Sequence, residues 1–260
     1  MRTARPIAVG VIAVALALLA PLPARLLPSA RTVPFSGPGD GHLLGTDSLG
    51  NDVLAQLLIH APATFIVPAV AAVALAVVGT LLGVFLGLAS SRARHVVIRL
   101  ADVLLIIPPA VLTLVIVLGF GASPTSIVAG VVLSGVVIFV RVVSAATVQV
   151  SRSGYVEAAA GLGDSKLWIG LRDLLPSLLG IVTAESALRF LAAIQLVAAL
   201  SFLGFASGLG NSWARAIRDN VVGFSLNPWA TLAPGIALVL SLSVIALLLE
   251  RPLRDVEETL

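Results

Sequence analysis

The sequence contains no cysteine and has few charged residues for its length. The absence of cysteine excludes disulfide bonds, thiol nucleophiles and any inference of compartment from redox state. Only 11% of the 260 residues are charged, against about 25% in soluble domains, whereas 58% are hydrophobic and the mean hydropathy is +1.10. In a bilayer the backbone must satisfy its own hydrogen bonds, which leaves helices or closed barrels. The long unbroken apolar runs predict an all-α polytopic membrane protein.

Motifs for common enzymatic chemistry are also missing from the sequence. It has no G-x-x-x-x-G-K-[ST] loop, so we expect this chain to bind neither ATP nor another cofactor itself, and it has no H-E-x-x-H or G-x-S-x-G motif. The three histidines, His42, His60 and His95, lack metal-ligand spacing. Asp47 and Asp52 near His42 allow a metal site, but a turn followed by a capped amphipathic helix outside the membrane is the favoured interpretation. We therefore expect no metal site and no catalytic residue in this chain.

Six apolar segments approach the roughly 20 residues that a membrane-spanning helix needs. They cover about 6–24, 63–89, 98–120, 125–148, 177–205 and 229–249. The first also fits a cleaved signal peptide, because Arg2 and Arg5 precede the apolar run Ile7–Ala20. The predicted organisation is a first span at 1–24, an extracytoplasmic loop with an amphipathic helix at 25–62, a five-helix core at 63–250 and a tail at 251–260. Within the core, 151–176 and 206–228 are the predicted polar loops.

The basic residues predict the orientation of these spans. With the N-terminus in the cytoplasm, 11 arginines and lysines fall in inner segments and 4 in outer segments, and Arg189 falls inside a span. The positive-inside rule selects this orientation, with both termini cytoplasmic. The net charge of +3 is spread between apolar segments, so it indicates membrane topology and not nucleic-acid binding.

Three features within the spans suggest packing or function. Gly79, Gly83 and Gly87 recur every four residues and predict a ridge along which another helix packs closely. Glu185 and Arg189, at i and i+4, predict an intramembrane ion pair that either locks a helix interface or lines a translocation path. Pro108 and Pro109 remove backbone donors and predict a break, which is either a hinge near the path or a simple kink.

The mixed segment "EAAAGLGDSKLWIGLRDLLP" (157–176) interrupts the apolar runs on the predicted cytoplasmic side. Gly163 ends one helical piece, and the next carries Leu167, Trp168 and Leu171 on one face. Such a short amphipathic helix either lies in the membrane interface or enters a groove on a partner protein. Periodicity leaves both possibilities open.

The spacing of this segment resembles the EAA loop of the permease subunits of bacterial ATP-binding-cassette (ABC) importers. "HLLGTDSLGNDVLAQLL" (42–58) and "ALSFLGFASGLGNSWARAI" (199–217) are similar to segments of the dipeptide, oligopeptide and nickel permeases, in particular to the second permease of each pair. The chain departs from that group at Asn51 and Gln56, where arginines are typical, and at Asp173, where isoleucine is common. The loop after "LSFLG" is also shorter than usual.

The resemblance implies a type I importer permease fold in the bacterial plasma membrane. It further implies a heterodimer with a homologous permease, two cytoplasmic ATPase subunits that bind ATP and Mg²⁺, and an extracytoplasmic solute-binding protein. The residues implied in coupling to the ATPase are Glu157, Ala158, Ala159, Gly163, Leu167, Trp168, Leu171 and Pro176. Peptides are the expected substrate, with nickel or another small solute as the alternative. A stand-alone secondary transporter and an intramembrane enzyme are the competing classes.

Overall fold

The computed structural model of the protein describes residues 4–24, 26–27, 31–39, 41–151 and 174–257, and within these residues no β-strand forms. The α-helices, numbered in chain order, are α1 (Ala4–Leu19), α2 (Pro21–Ala24), α3 (Val53–Leu88), α4 (Ser91–Ile106), α5 (Pro109–Phe120), α6 (Pro124–Ser151), α7 (Leu175–Leu203), α8 (Trp213–Asn220) and α9 (Trp229–Glu257). Two short 3₁₀ turns, Ser207–Leu209 and Val221–Gly223, flank α8.

The membrane-spanning helices are less uniform than the six predicted segments. Among the described residues, four helices are long and apolar enough to cross a membrane: α3, α6, α7 and the part of α9 from Trp229 to Leu248. Helices α4 and α5 meet the same condition only as a pair, which is bent by 82°. Helix α1 has 16 residues, and a rise of about 1.5 Å per residue makes it shorter than the hydrocarbon layer of about 30 Å. The all-α polytopic class is confirmed, and the described residues contain four such spans, or five if the bent pair is counted as one.

Helix α3 begins well before the predicted start of its span at residue 63. Asp52 caps it by accepting a hydrogen bond from the Ala55 amide at 2.7 Å, and the helix then runs without interruption for 36 residues. Pro62 and Pro68 lie inside it without ending it. The sequence predicted a turn followed by a capped amphipathic helix outside the membrane. The structure identifies Asp52 as the cap, but the residues after it form the first turns of α3 and not a separate helix.

The glycine ridge of α3 faces α6. A Cβ built on Gly79 would lie 2.5 Å from Phe139 Cδ1, one on Gly83 would lie 2.6 Å from Val143 Cβ, and one on Gly87 would lie 2.5 Å from Thr147 Cβ. These distances are too short for real Cβ atoms, so only glycine permits this approach of the two helices.

The order of these contacts shows how the chain crosses the bundle. Gly79, Gly83 and Gly87 contact Phe139, Val143 and Thr147 in the same order along the two helices, so α3 and α6 run parallel. Helices α4 and α5 therefore return the chain from the end of α3 to the start of α6, and together they make one broken crossing. Helix α7 runs back along α6, because Leu178 packs near Phe139 and Val143 while Val197 packs near Ile127 and Val131.

The two ends of the bundle differ in structure. At one end, here called the loop end, residues 31–39, 41–52, 121–123 and 204–228 cover the helices. Asn227 ties this end together, since its side-chain amide donates to the carbonyls of Leu44 and Thr46 at 3.0 Å each. Ser48 donates its backbone N–H to Asn220 Oδ1 at 2.8 Å. At the opposite end, α3 and α6 finish and α4 and α7 begin.

Candidate functional site

The predicted pair Glu185–Arg189 is formed on α7. Arg189 Nε donates to Glu185 Oε1 at 2.6 Å, and the side chains are 21% and 8% exposed respectively. Each charge therefore has its counter-charge one turn away, which lowers the large cost of placing either group alone in a membrane interior.

The surroundings of this pair are mostly apolar. Leu178 and Val182, on one side along α7, pack with α6, and Ala193 on the other side packs with α3, α5 and α6. A Cβ on Gly135 of α6 would lie 3.9 Å from Arg189 Cδ. The pair thus lies on the face of α7 that meets the rest of the bundle.

The predicted break at Pro108 and Pro109 falls between α4 and α5. Helix α4 ends at Ile106, and Pro109 is the first residue of α5. Both prolines are exposed. A second ion pair joins this region to the bundle, because Arg141 Nη2 of α6 donates to Asp102 Oδ1 of α4, and both side chains are more than 40% exposed. The break is a structural fact, whereas movement at it stays a prediction.

At the loop end, the candidate metal residues have protein partners. His42 Nδ1 lies 2.8 Å from Asp52 Oδ2, and Asp47 Oδ1 accepts from the backbone amides of Leu49 and Asn51 at 2.8 Å each. No group of three or more His, Asp or Glu side chains in the described ranges is placed to hold a metal ion. These side chains instead shape the loop that precedes α3.

A polar cavity of about 240 Å³ lies next to this loop. Its wall is built from the loop before α3, the first two turns of α3, helix α8 and the start of α9. Trp213 fixes α8 against α3, because its indole Nε1 donates to the Leu57 carbonyl at 2.7 Å. Its ring also packs edge-to-face with Phe65, with the ring centroids 5.4 Å apart. Asn51 and Gln56, which stand where arginines are typical of the group, both line this cavity.

Sequence reasoning missed the cavity and its lining residues His60, Arg215 and Asp219. The available signal was "NSWARAIRD", in which Ser212 caps a short helix with a strongly polar face. That signal predicts the helix, but it does not reveal that the helix packs beside residues 47–60.

The predicted coupling residues Glu157, Ala158, Ala159, Gly163, Leu167, Trp168 and Leu171 lie outside the described residues. Pro176 is described and lies exposed in the first turn of α7. Helix α6 ends at Ser151 and α7 begins at Leu175 on the same side of the bundle. The end of α6 and the start of α7 therefore both lie at the end of the bundle opposite to the cavity.

Comparison with known proteins identifies the class to which this helical membrane protein belongs. The family model described as binding-protein-dependent transport system inner membrane component matches residues 79–254. The chain belongs to this family and is an ABC importer permease of the peptide-transport type. It is accordingly a multi-pass inner-membrane protein of a transport system.

Curated relatives extend the similarity over most of the chain. A putative peptide transport system permease protein of Brucella suis is 30% identical over 252 residues, which are 94% of this chain and 83% of the relative. A dipeptide transport system permease protein of Alkalihalophilus pseudofirmus is 28% identical over 89% of this chain and 79% of its own. A glutathione transport system permease protein of Pectobacterium atrosepticum is 26% identical over 82% and 71%.

Proposed function

We propose that this chain forms half of the membrane path of an ATP-driven peptide importer. The observation that carries the proposal is the family match over 79–254, which encloses the whole predicted coupling segment 157–176. Relatives named for transport of peptides, dipeptides and glutathione favour peptides over nickel as the substrate. The other half of the path is a homologous permease, and a solute-binding protein delivers the peptide at the loop end.

Coupling to the ATPase subunits occurs at the other end of the bundle in this proposal. The amphipathic helix around Trp168 inserts Leu167, Trp168 and Leu171 into a groove on a cytoplasmic ATPase, and Glu157, Ala158 and Gly163 shape the turn before it. Because α6 and α7 are long helices directly attached to this segment, a displacement of the docked helix is passed to the bundle. ATP and Mg²⁺ bind to the partner subunits, and alternating access follows from their closure and release.

We further propose that Glu185 and Arg189 lock α7 into the bundle and do not line the path. The side chains form a short charged hydrogen bond, and Glu185 is almost fully buried between apolar clusters. A pathway residue requires access to water, which the 8% exposure of Glu185 does not favour.

Co-purification tests the coupling proposal. The chain is co-expressed with the ATPase and permease genes that neighbour it, and the complex is isolated through a tag on an ATPase. We expect Trp168→Ala with Leu171→Asp to remove this chain from the isolated complex. The matched control is Trp229→Ala with Leu226→Asp, the same two changes at exposed positions of the loop end, and this variant should still co-purify. Equal recovery of the two double variants would refute docking through residues 157–176.

A further inference from the structure

The cavity at the loop end contains a buried histidine without partners. His60 is 8% exposed and lines the cavity, and neither Nδ1 nor Nε2 has a hydrogen-bond partner among the described residues. Buried polar atoms are nearly always hydrogen-bonded to protein, water or ligand. Both ring nitrogens are shielded from solvent, so they are not presented to a ligand, but the ring of His60 forms part of the cavity wall and reports on a molecule that enters.

The acidic groups near His60 are already engaged. Asp47 accepts three hydrogen bonds from Leu49 and Asn51 at its Oδ1 atom and a fourth at Oδ2 from the Asn51 side chain. Asp219 receives the guanidinium of Arg218 at 2.8 Å. These two carboxylates therefore offer few free acceptor positions to a ligand.

The cationic group of the wall is, by contrast, largely free. Arg215 reaches Asp219 only through Nε at 3.3 Å, a long contact. Its two terminal guanidinium nitrogens have no hydrogen-bond partner within the described chain, and neither does the Gln56 side chain, which lines the same cavity. Paired guanidinium N–H groups match the two oxygens of a carboxylate in both spacing and plane.

We propose that this cavity binds a small soluble molecule through a single carboxylate, held by Arg215 with Gln56 as an additional hydrogen-bonding group and with the ring of His60 in the adjacent wall. Asp47 and Asp219 on the same wall repel a doubly charged anion, so a monocarboxylate fits better than a phosphate. The cavity volume of about 240 Å³ limits the ligand to a small molecule. The site lies at the opposite end of the bundle from the end of α6 and the start of α7.

Nuclear magnetic resonance of the full chain in nanodiscs, labelled with ¹⁵N-histidine, tests the proposal. N-acetylglycine should shift the His60 ring resonances with saturation, while N-acetylglycinamide, which differs only in lacking the carboxylate, should not. Glycinamide tests binding through an ammonium group, and inorganic phosphate tests general anion binding. Arg215→Gln should weaken the binding of N-acetylglycine by at least about tenfold, and Gln56→Leu should weaken it to a smaller extent.

The control variant is Arg99→Gln, which removes the same charge from an exposed position of α4 and should leave binding unchanged. Unfolding temperatures of all variants show whether each is folded. The proposal is overturned if N-acetylglycine causes no saturable shift, if the amide or glycinamide binds equally well, or if phosphate binds more tightly. Because the measurement needs neither ATPase nor binding protein, such a result leaves the importer proposal intact.

Discussion

The α3–α6 pair and the α4–α5 pair are neighbours in the bundle, yet they are packed in opposite ways. Three glycines of α3 allow Phe139, Val143 and Thr147 of α6 to approach its backbone, and all six residues are buried. Helix α4 has no buried residue, and α5 has only Thr113 and Val117. The first pair is the interior of the bundle, whereas the second lies at its periphery.

This difference indicates which helices can move or contact other molecules without repacking the interior of the bundle. Replacing close-packed atoms forces a rearrangement of both helices, because such interfaces do not deform gradually. The exposed apolar residues of α4 and α5, which include Leu100, Ile106 and Phe120, are not covered by the described part of the chain and impose no such constraint. Four experiments test this contrast, in order of decreasing expected effect.

Gly79→Leu should have the largest effect on stability. The new side chain would overlap Phe139, and overpacking of this kind costs about 1–3 kcal/mol or more. The matched control is Gly119→Leu in α5, because a Cβ at Gly119 meets no described atom within 4 Å. Thermal unfolding in detergent should show a clearly lower midpoint for Gly79→Leu and little change for Gly119→Leu. Similar midpoints would contradict the close packing of α3 on α6.

Glu185→Ala should rank second, because it leaves Arg189 without its counter-charge inside the bundle. Loss of one partner of a buried ion pair costs about 3–5 kcal/mol when fully buried, and the partial exposure of Arg189 reduces this to about 2 kcal/mol. Glu185→Gln retains an oxygen acceptor and should be less destabilising. Thermal unfolding of the two variants provides the measurement, and an unchanged midpoint for Glu185→Ala would exclude a locking role.

Asp102→Ala should have a much smaller effect than Glu185→Ala. It breaks the ion pair with Arg141, in which both side chains are more than 40% exposed, and exposed pairs contribute about 0–1 kcal/mol. The same unfolding assay compares the two alanine variants directly. A loss of stability as large as that of Glu185→Ala would show that α4 is held as firmly as α7.

Pro108→Ala with Pro109→Ala should change stability least and geometry most. Neither proline is buried, and alanine restores the backbone donors that proline removes. We expect the 82° bend to open. The sequence has no native cysteine, so spin labels on Leu100→Cys and Leu118→Cys report the distance between α4 and α5 directly. An unchanged distance distribution would show that packing, and not the prolines, sets the bend.

Local sequence pattern predicted much of the bundle. The four-residue spacing of Gly79, Gly83 and Gly87 predicts a ridge on one face, and the Asp and Ser residues of "GTDSLGND" predict a capped helix after the turn, because both depend only on neighbouring residues. The prolines at 108 and 109 predict a break. They do not predict its angle of 82° or the close contact of Thr113 in α5 with Gly130 in α6.

The loop end shows what local pattern leaves out. The side chain of Asn227 binds the carbonyls of Leu44 and Thr46, and Asn220 binds Ser48, across more than 170 positions of sequence. No periodicity within one segment reveals such pairings. The cavity beside His60 depends on them, so it emerges only from the fold. The coupling segment is the reverse case, since its spacing alone led to the family.

The central claim is that ATP hydrolysis on partner subunits drives import through this chain. Uptake of a labelled dipeptide into proteoliposomes that contain the assembled complex, with its binding protein on the side of the loop end, tests it most directly. The account predicts uptake that requires ATP on the opposite side and that disappears with Trp168→Ala and Leu171→Asp. Uptake without ATP, driven by a proton or sodium gradient, would contradict the account and identify a secondary transporter.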